Sequence, residues 1–146
     1  MDPKEILKTY ALSFVGLPYL WGGDTPMKGF DCSGFVLEIL RSQGLWGKED
    51  STSQNLFWYF VNLGPTYLTQ VPEFGSLLFF GSDAKGISHV TMALNQTTML
   101  EAGGGDSTVI DRETAVKKAA FIRVRPIANR ADLRGVFNPK YSWRTK

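Results

Sequence analysis

The chain has 146 residues, 43% hydrophobic and 21% charged, with a formal net charge of +2, which is enough apolar material for one core and the charge content of an ordinary globular protein. So weak a basic balance argues against a nucleic-acid binder. One cysteine excludes an intramolecular disulfide or a cysteine zinc cluster, and with one histidine it makes a poor ligand set, so no metal and no cofactor are expected.

At the N-terminus, Asp2, Pro3 and Glu5 give a cap, a proline at N1 and a glutamate at N3. Ile6, Leu7, Tyr10, Ala11 and Phe14 repeat at helical spacing, which predicts a first helix over 3–15 ended by Gly16. This start lacks the basic residues and unbroken apolar run of a signal peptide, and no stretch reaches membrane-span length. Residues 17–30 read as a glycine- and proline-rich loop carrying Tyr19 and Trp21, able to bring backbone close to a ligand. Asp31 then sits where an N-cap belongs, and Phe35, Val36, Ile39 and Leu40 share one face of a second helix from about Cys32 to Gln43, closed by Gly44. After a turn at 45–50, Ser51 or Thr52 caps a third helix running to about Asn62. Its run Phe57, Trp58, Tyr59 and Phe60 reads first as core and second as the wall of a groove.

From residue 75 the pattern changes to short apolar runs between turn signals. Strands are predicted over 76–80, 87–94, 98–102 and 121–125, with a short one at Val109 and Ile110. Alternation in the second puts His89, Thr91 and Ala93 on one face. Helices first and strands afterwards predict one α+β domain over 1–146, with the helices on one side of an antiparallel sheet. The late basic residues Arg123, Arg125, Arg130, Arg134, Lys140, Arg144 and Lys146 read as a solvated, partly frayed tail. Their functional alternative is attraction to an anionic polymer.

Cys32 at the head of a helix meets unpaired amide N–H groups and the positive end of the dipole, a setting that favours a thiolate. His89 is the one imidazole able to act as its base, and a hairpin back from Leu94 brings Glu101 beside it. The Cys32 amide could serve as an oxyanion donor. Taken singly, such residues are more often a small core cysteine, a hydrogen-bonded histidine and a solvated carboxylate. Spacing alone does not bring Cys32 to His89.

The segment PYLWGGDTPMKGFDCSGFV resembles the nucleophile region of the NlpC-type cell-wall peptidases, which are papain-like cysteine enzymes. Gly16, Pro18, Tyr19, Trp21, Gly22 and Gly23 match the loop before the nucleophile, and Phe30 to Gly34 the nucleophile motif. GSLLFF from Gly75 resembles the first strand, SHVTMAL from Ser88 the histidine strand, and MLEAGGG from Met99 the segment of the third polar residue. Ser51, Ser53 and Gln54 faintly echo a Ser-x-x-Gln element. The resemblance covers about residues 3–125. It implies a papain-like fold, Cys32 as nucleophile, His89 as base and then acid, Glu101 as orienting residue and the Tyr19 hydroxyl near the tetrahedral intermediate. Asp31, Ser33 and Trp21 would contact substrate, with Asp31 receiving the free amine of a stem peptide. The implied reaction is metal-free cleavage of peptidoglycan stem peptides next to D-glutamyl and meso-diaminopimelyl residues.

The chain departs from the family pattern at Glu101, where histidine is common, and lacks its Pro-Gly-Asp turn. An acidic third residue is also found in amidase domains of the same clan, so an N-acetylmuramoyl-L-alanine amidase is the nearest alternative. A non-catalytic peptidoglycan-binding module and an acyl transferase are the others. With no leader read in the sequence, two settings stay open: a phage tail or lysis protein within a larger assembly, or a protein exported to the cell wall by another route.

Overall fold

The computed structural model describes residues 2–27 and 29–144. Lys28 of the glycine-rich loop and Lys146 of the basic tail lie outside them. The first helix, α1 (Pro3–Leu12), starts as its sequence dictates: the Asp2 carboxylate accepts from the Lys4 amide at 3.0 Å, with Pro3 at the first turn. It stops at Leu12 rather than residue 15. The Ser13 hydroxyl donates to the Tyr10 carbonyl, and the Gly16 amide, at φ +98°, donates to the carbonyl of Ile122, which draws the chain off the helix axis. Within the following loop, β1 (Asp24–Thr25) and β2 (Gly29–Phe30) pair as a minimal antiparallel ladder that no period in the sequence announces.

Helix α2 (Cys32–Ser42) buries Phe35, Val36, Leu37, Ile39 and Leu40. Helix α3 (Ser53–Leu63) is capped by Thr52, whose hydroxyl accepts from the Asn55 amide at 3.1 Å. Strands β3 (Leu77–Ser82), β4 (Gly86–Ala93) and β5 (Thr98–Gly103) follow, then α4 (Arg112–Lys117), β6 (Phe121–Pro126) and β7 (Leu133–Phe137). The five long strands form one antiparallel sheet in the order β6-β5-β4-β3-β7. The fold is α+β, with α1, α2 and α3 contributing to the apolar core on one face of the sheet. Leu77, Phe79, Val90, Met92, Leu100 and Ala102 point into that core. Leu78, Phe80, Ala93, Met99 and Val136 make a smaller cluster on the other face, partly roofed by Ile127. Of the aromatic run in α3, Phe60 is buried, Phe57 packs edge-on against Phe79 and Phe137, and Trp58 faces outward.

Two expectations are corrected. Val109 and Ile110 form no strand: the Val109 carbonyl accepts from the Trp21 amide at 2.7 Å, so this segment braces the loop before α2 instead of joining a ladder. Asp111 then caps α4, accepting from the Thr114 amide at 2.8 Å. Nor is the basic end a frayed tail. Residues 133–137 add β7 to the open edge of β3. Tyr141 is fully enclosed, donates to the Gly75 carbonyl at 2.8 Å and stacks on Trp143 at 4.5 Å, while Arg144 pairs with Glu73.

Candidate active site

Cys32 is the first residue of α2, and its neighbours explain why it is held there. Asp31 caps the helix with one oxygen, accepting from the Gly34 amide at 2.7 Å, and with the other accepts from the Gly22 amide at 3.1 Å. One carboxylate therefore joins the helix start to the loop before it. The loop lies so close that a Cβ on Gly34 would fall 2.0 Å from the Gly23 carbonyl oxygen, so only glycine fits two positions after Cys32. Ser33 is buried and its hydroxyl donates to Asp31 at 3.4 Å. Burial raises the pKa of Asp31 even though the two amides and Ser33 pull it down.

His89 comes from β4. Gln54 of α3 accepts from the Ile87 amide at 2.8 Å and fixes the start of that strand, giving the faint Ser-x-x-Gln echo a physical role. Pairing between β4 and β5 is confined to Met92–Leu100 and Ala93–Met99, so His89 and Glu101 meet beyond the end of the ladder, through side chains alone. There His89 Nε2 lies 2.9 Å from Glu101 Oε1. That leaves Nδ1 open, and the Cys32 sulfur lines the same cleft, near enough to favour the charged ring. Burial disfavours the charged ring, but Cys32 and Glu101 outweigh it and raise the His89 pKa to about 9. Glu101 is 1% exposed. Burial opposes its charge, and His89, Arg123 and Arg125 overcome that and lower its pKa to about 2.

The two arginines are what the sequence reading missed. Arg123 Nε and Arg125 Nη1 each donate to Glu101 Oε2 at 2.9 Å, leaving Oε1 to the imidazole. A signal for them was available: Glu101 pairs across the ladder with Arg123, and Arg125 follows two residues on along the same face.

Cys32 stands where two arms of a cleft meet, under Tyr19, Trp21 and Ser88. One arm, of about 450 Å³, runs past His89 and Glu101 to Asp106, Arg123, Arg125 and Arg130. The other, of about 380 Å³, holds Asp31 and Ser33 together with Asp50, Ser51 and Asn55, of which Asp50 was read only as part of a turn. Trp21 is 57% exposed at the rim. Tyr19 is buried except where it meets the cleft. Burial, together with Cys32, Asp31 and Asp106, pushes its pKa far up, so the hydroxyl keeps its proton and can donate. Among the described residues no group of three or more His, Cys, Asp or Glu side chains could hold a metal ion, and no helix is long and apolar enough to cross a membrane. A cysteine sulfur, an imidazole to take its proton and a clamped carboxylate at the floor of an open cleft are suited to nucleophilic attack on an acyl group.

The model of the NlpC/P60 family matches residues 16–125. The chain is 36% identical over 101 residues to a gamma-D-glutamyl-L-lysine dipeptidyl-peptidase of Bacillus subtilis, covering 68% of this chain and 31% of that protein. It is 33% identical over 93 residues to a probable peptidoglycan endopeptidase, LytE, of the same organism, covering 64% and 25%. It therefore spans about a quarter to a third of the length of these relatives. Its fold resembles that of an NlpC/P60 family protein from Bacillus cereus, with a TM-score of 0.68 and 23% identity, covering 94% of this chain and 40% of the other.

Proposed function

Because the chain belongs to the NlpC/P60 family, we propose that it is a cysteine endopeptidase that hydrolyses amide bonds in the stem peptides of bacterial peptidoglycan, of the D-glutamyl–meso-diaminopimelate type. The observation that carries this reading is that Cys32 lines one open cleft with His89, itself bonded to Glu101. The relatives named as a dipeptidyl-peptidase and an endopeptidase support the substrate class.

Cys32 gives its proton to His89 and attacks the scissile carbonyl. The oxyanion forms at the head of α2, where first-turn amides lack helical partners, and the protonated Tyr19 hydroxyl faces the same space. His89 then donates to the leaving amine, a thioacyl-enzyme remains, and water activated by the neutral imidazole releases the acid. Glu101 holds the ring in one orientation and stabilises its charge through both steps. Asp50 beside Asp31 makes the second arm acidic, which suits the free amine of a stem peptide.

The presence of an acid, Glu101, in the third position favours one second reading, an N-acetylmuramoyl-L-alanine amidase. Mass spectrometry of purified peptidoglycan after digestion separates the two. The endopeptidase yields new termini within the stem, whereas the amidase frees the whole stem from the sugar. Cys32→Ala should release neither while remaining folded by circular dichroism. Undiminished product from that variant would overturn the assignment.

A further inference from the structure

The arm of the cleft beyond His89 is built from cations in excess of what the triad uses. Glu101 neutralises one of the pair Arg123 and Arg125, Asp132 holds Arg130 through two hydrogen bonds, and Asp106 is paired with Lys118. With Cys32 and His89 counted as a balanced pair, one guanidinium charge is left without an anion among the described residues lining this arm. Arg123 and Arg125 each reach Glu101 through a single nitrogen, and a guanidinium carries five N–H donors. Their side chains, 34% and 29% exposed, line the cleft. The reacting centre fixes which part of a substrate lies there. His89 delivers its proton to the leaving amine, so the arm entered past His89 and Glu101 receives the amine side of the cut bond, and the acidic arm receives the acyl side.

Resting on the hydrolase reading above, we propose that Arg123 and Arg125 form a subsite for a free carboxylate on the residue that leaves as the amine. Planar guanidinium groups held in place by Glu101 present paired donors to a carboxylate without further ordering. The enzyme would then prefer a bond followed closely by an unblocked C-terminus, with opposite charges in the two arms setting the direction in which a peptide lies.

The test compares L-Ala-γ-D-Glu-L-Lys with its C-terminal carboxamide. The free acid should be cut with kcat/KM about tenfold or more above the amide, the usual weight of a charge-assisted hydrogen bond. Arg125→Gln should bring the acid-to-amide ratio close to one; because the ratio compares two substrates on one variant, any loss through Glu101 cancels. Equal rates for acid and amide on the natural chain, or an unchanged ratio in Arg125→Gln, overturn the subsite. Should neither peptide be cut and purified peptidoglycan also stay undigested, the hydrolase reading is the one that fails. With neither peptide cut, the subsite is read directly on Cys32→Ala by NMR titration with L-Lys and L-Lys-amide. Shifts of the Arg123 and Arg125 side-chain signals with the acid alone support it. No shifts, or equal shifts with both, overturn it.

Discussion

Glu101→Gln keeps the shape of a buried side chain and removes the charge that three cations share. Glutamine keeps one acceptor oxygen where glutamate has two, and it cannot balance the charge of the imidazolium or the two guanidinium groups 2.9 Å away. Losing a hydrogen bond to a charged group costs about 1.5–3 kcal/mol, which as a barrier corresponds to a rate loss of about ten- to a hundredfold. The two unpaired arginines then face the ring, so His89 gives up its proton at lower pH. The alkaline limb of kcat/KM, set in the natural chain by a His89 pKa raised to about 9, should move down by roughly one pH unit or more. Hydrolysis of L-Ala-γ-D-Glu-L-Lys followed from about pH 5 to 10 reads both effects. Alkylation of Cys32 by iodoacetamide over the same range reads the second without any substrate. A variant with the natural rate and an unmoved alkaline limb would refute the role given to Glu101.

The same pair predicts how stability depends on pH. Glu101 is depressed from 4.5 to about 2, so its contribution is complete above 4.5 and lost as pH falls toward 2; His89 is raised from 6.5 to about 9, so its contribution is complete below 6.5 and lost as pH rises toward 9. Tm should therefore be highest between 4.5 and 6.5 and fall on both sides, and a flat profile would contradict the buried cluster. Gly34→Ala drives a methyl group into the Gly23 carbonyl and should cost about 1–3 kcal/mol in urea unfolding, with loss of activity. Tyr141→Ala empties a fully enclosed site and should cost about 3–5 kcal/mol, whereas a loose tail would lose nothing measurable.

The helix that carries Cys32 was legible because its signals are local: Asp31 as cap, an apolar stripe behind it and Gly44 after it. The strands of His89 and Glu101 were legible for the same reason, within a residue or two at their ends. What stayed hidden depends on partners distant in the chain. Arg123 and Arg125 look like solvated charge until β6 is laid beside β5, at which point Glu101 becomes their counter-ion. Residues 133–144 look basic and loose because the features that order them, the free edge of β3 and the carbonyl of Gly75, lie about sixty residues earlier. Val109 has strand propensity, but the Trp21 amide claims its carbonyl.

The cluster at Glu101 takes its members from segments spread between Cys32 and Arg125. A chain emerging from the ribosome has its thiol and its imidazole well before β6 exists to neutralise the acid behind them. Until β6 pairs with β5, Glu101 is a carboxylate without its guanidinium clamp. The clamp behind the imidazole is thus a product of long-range closure, made only when a late strand reaches the sheet.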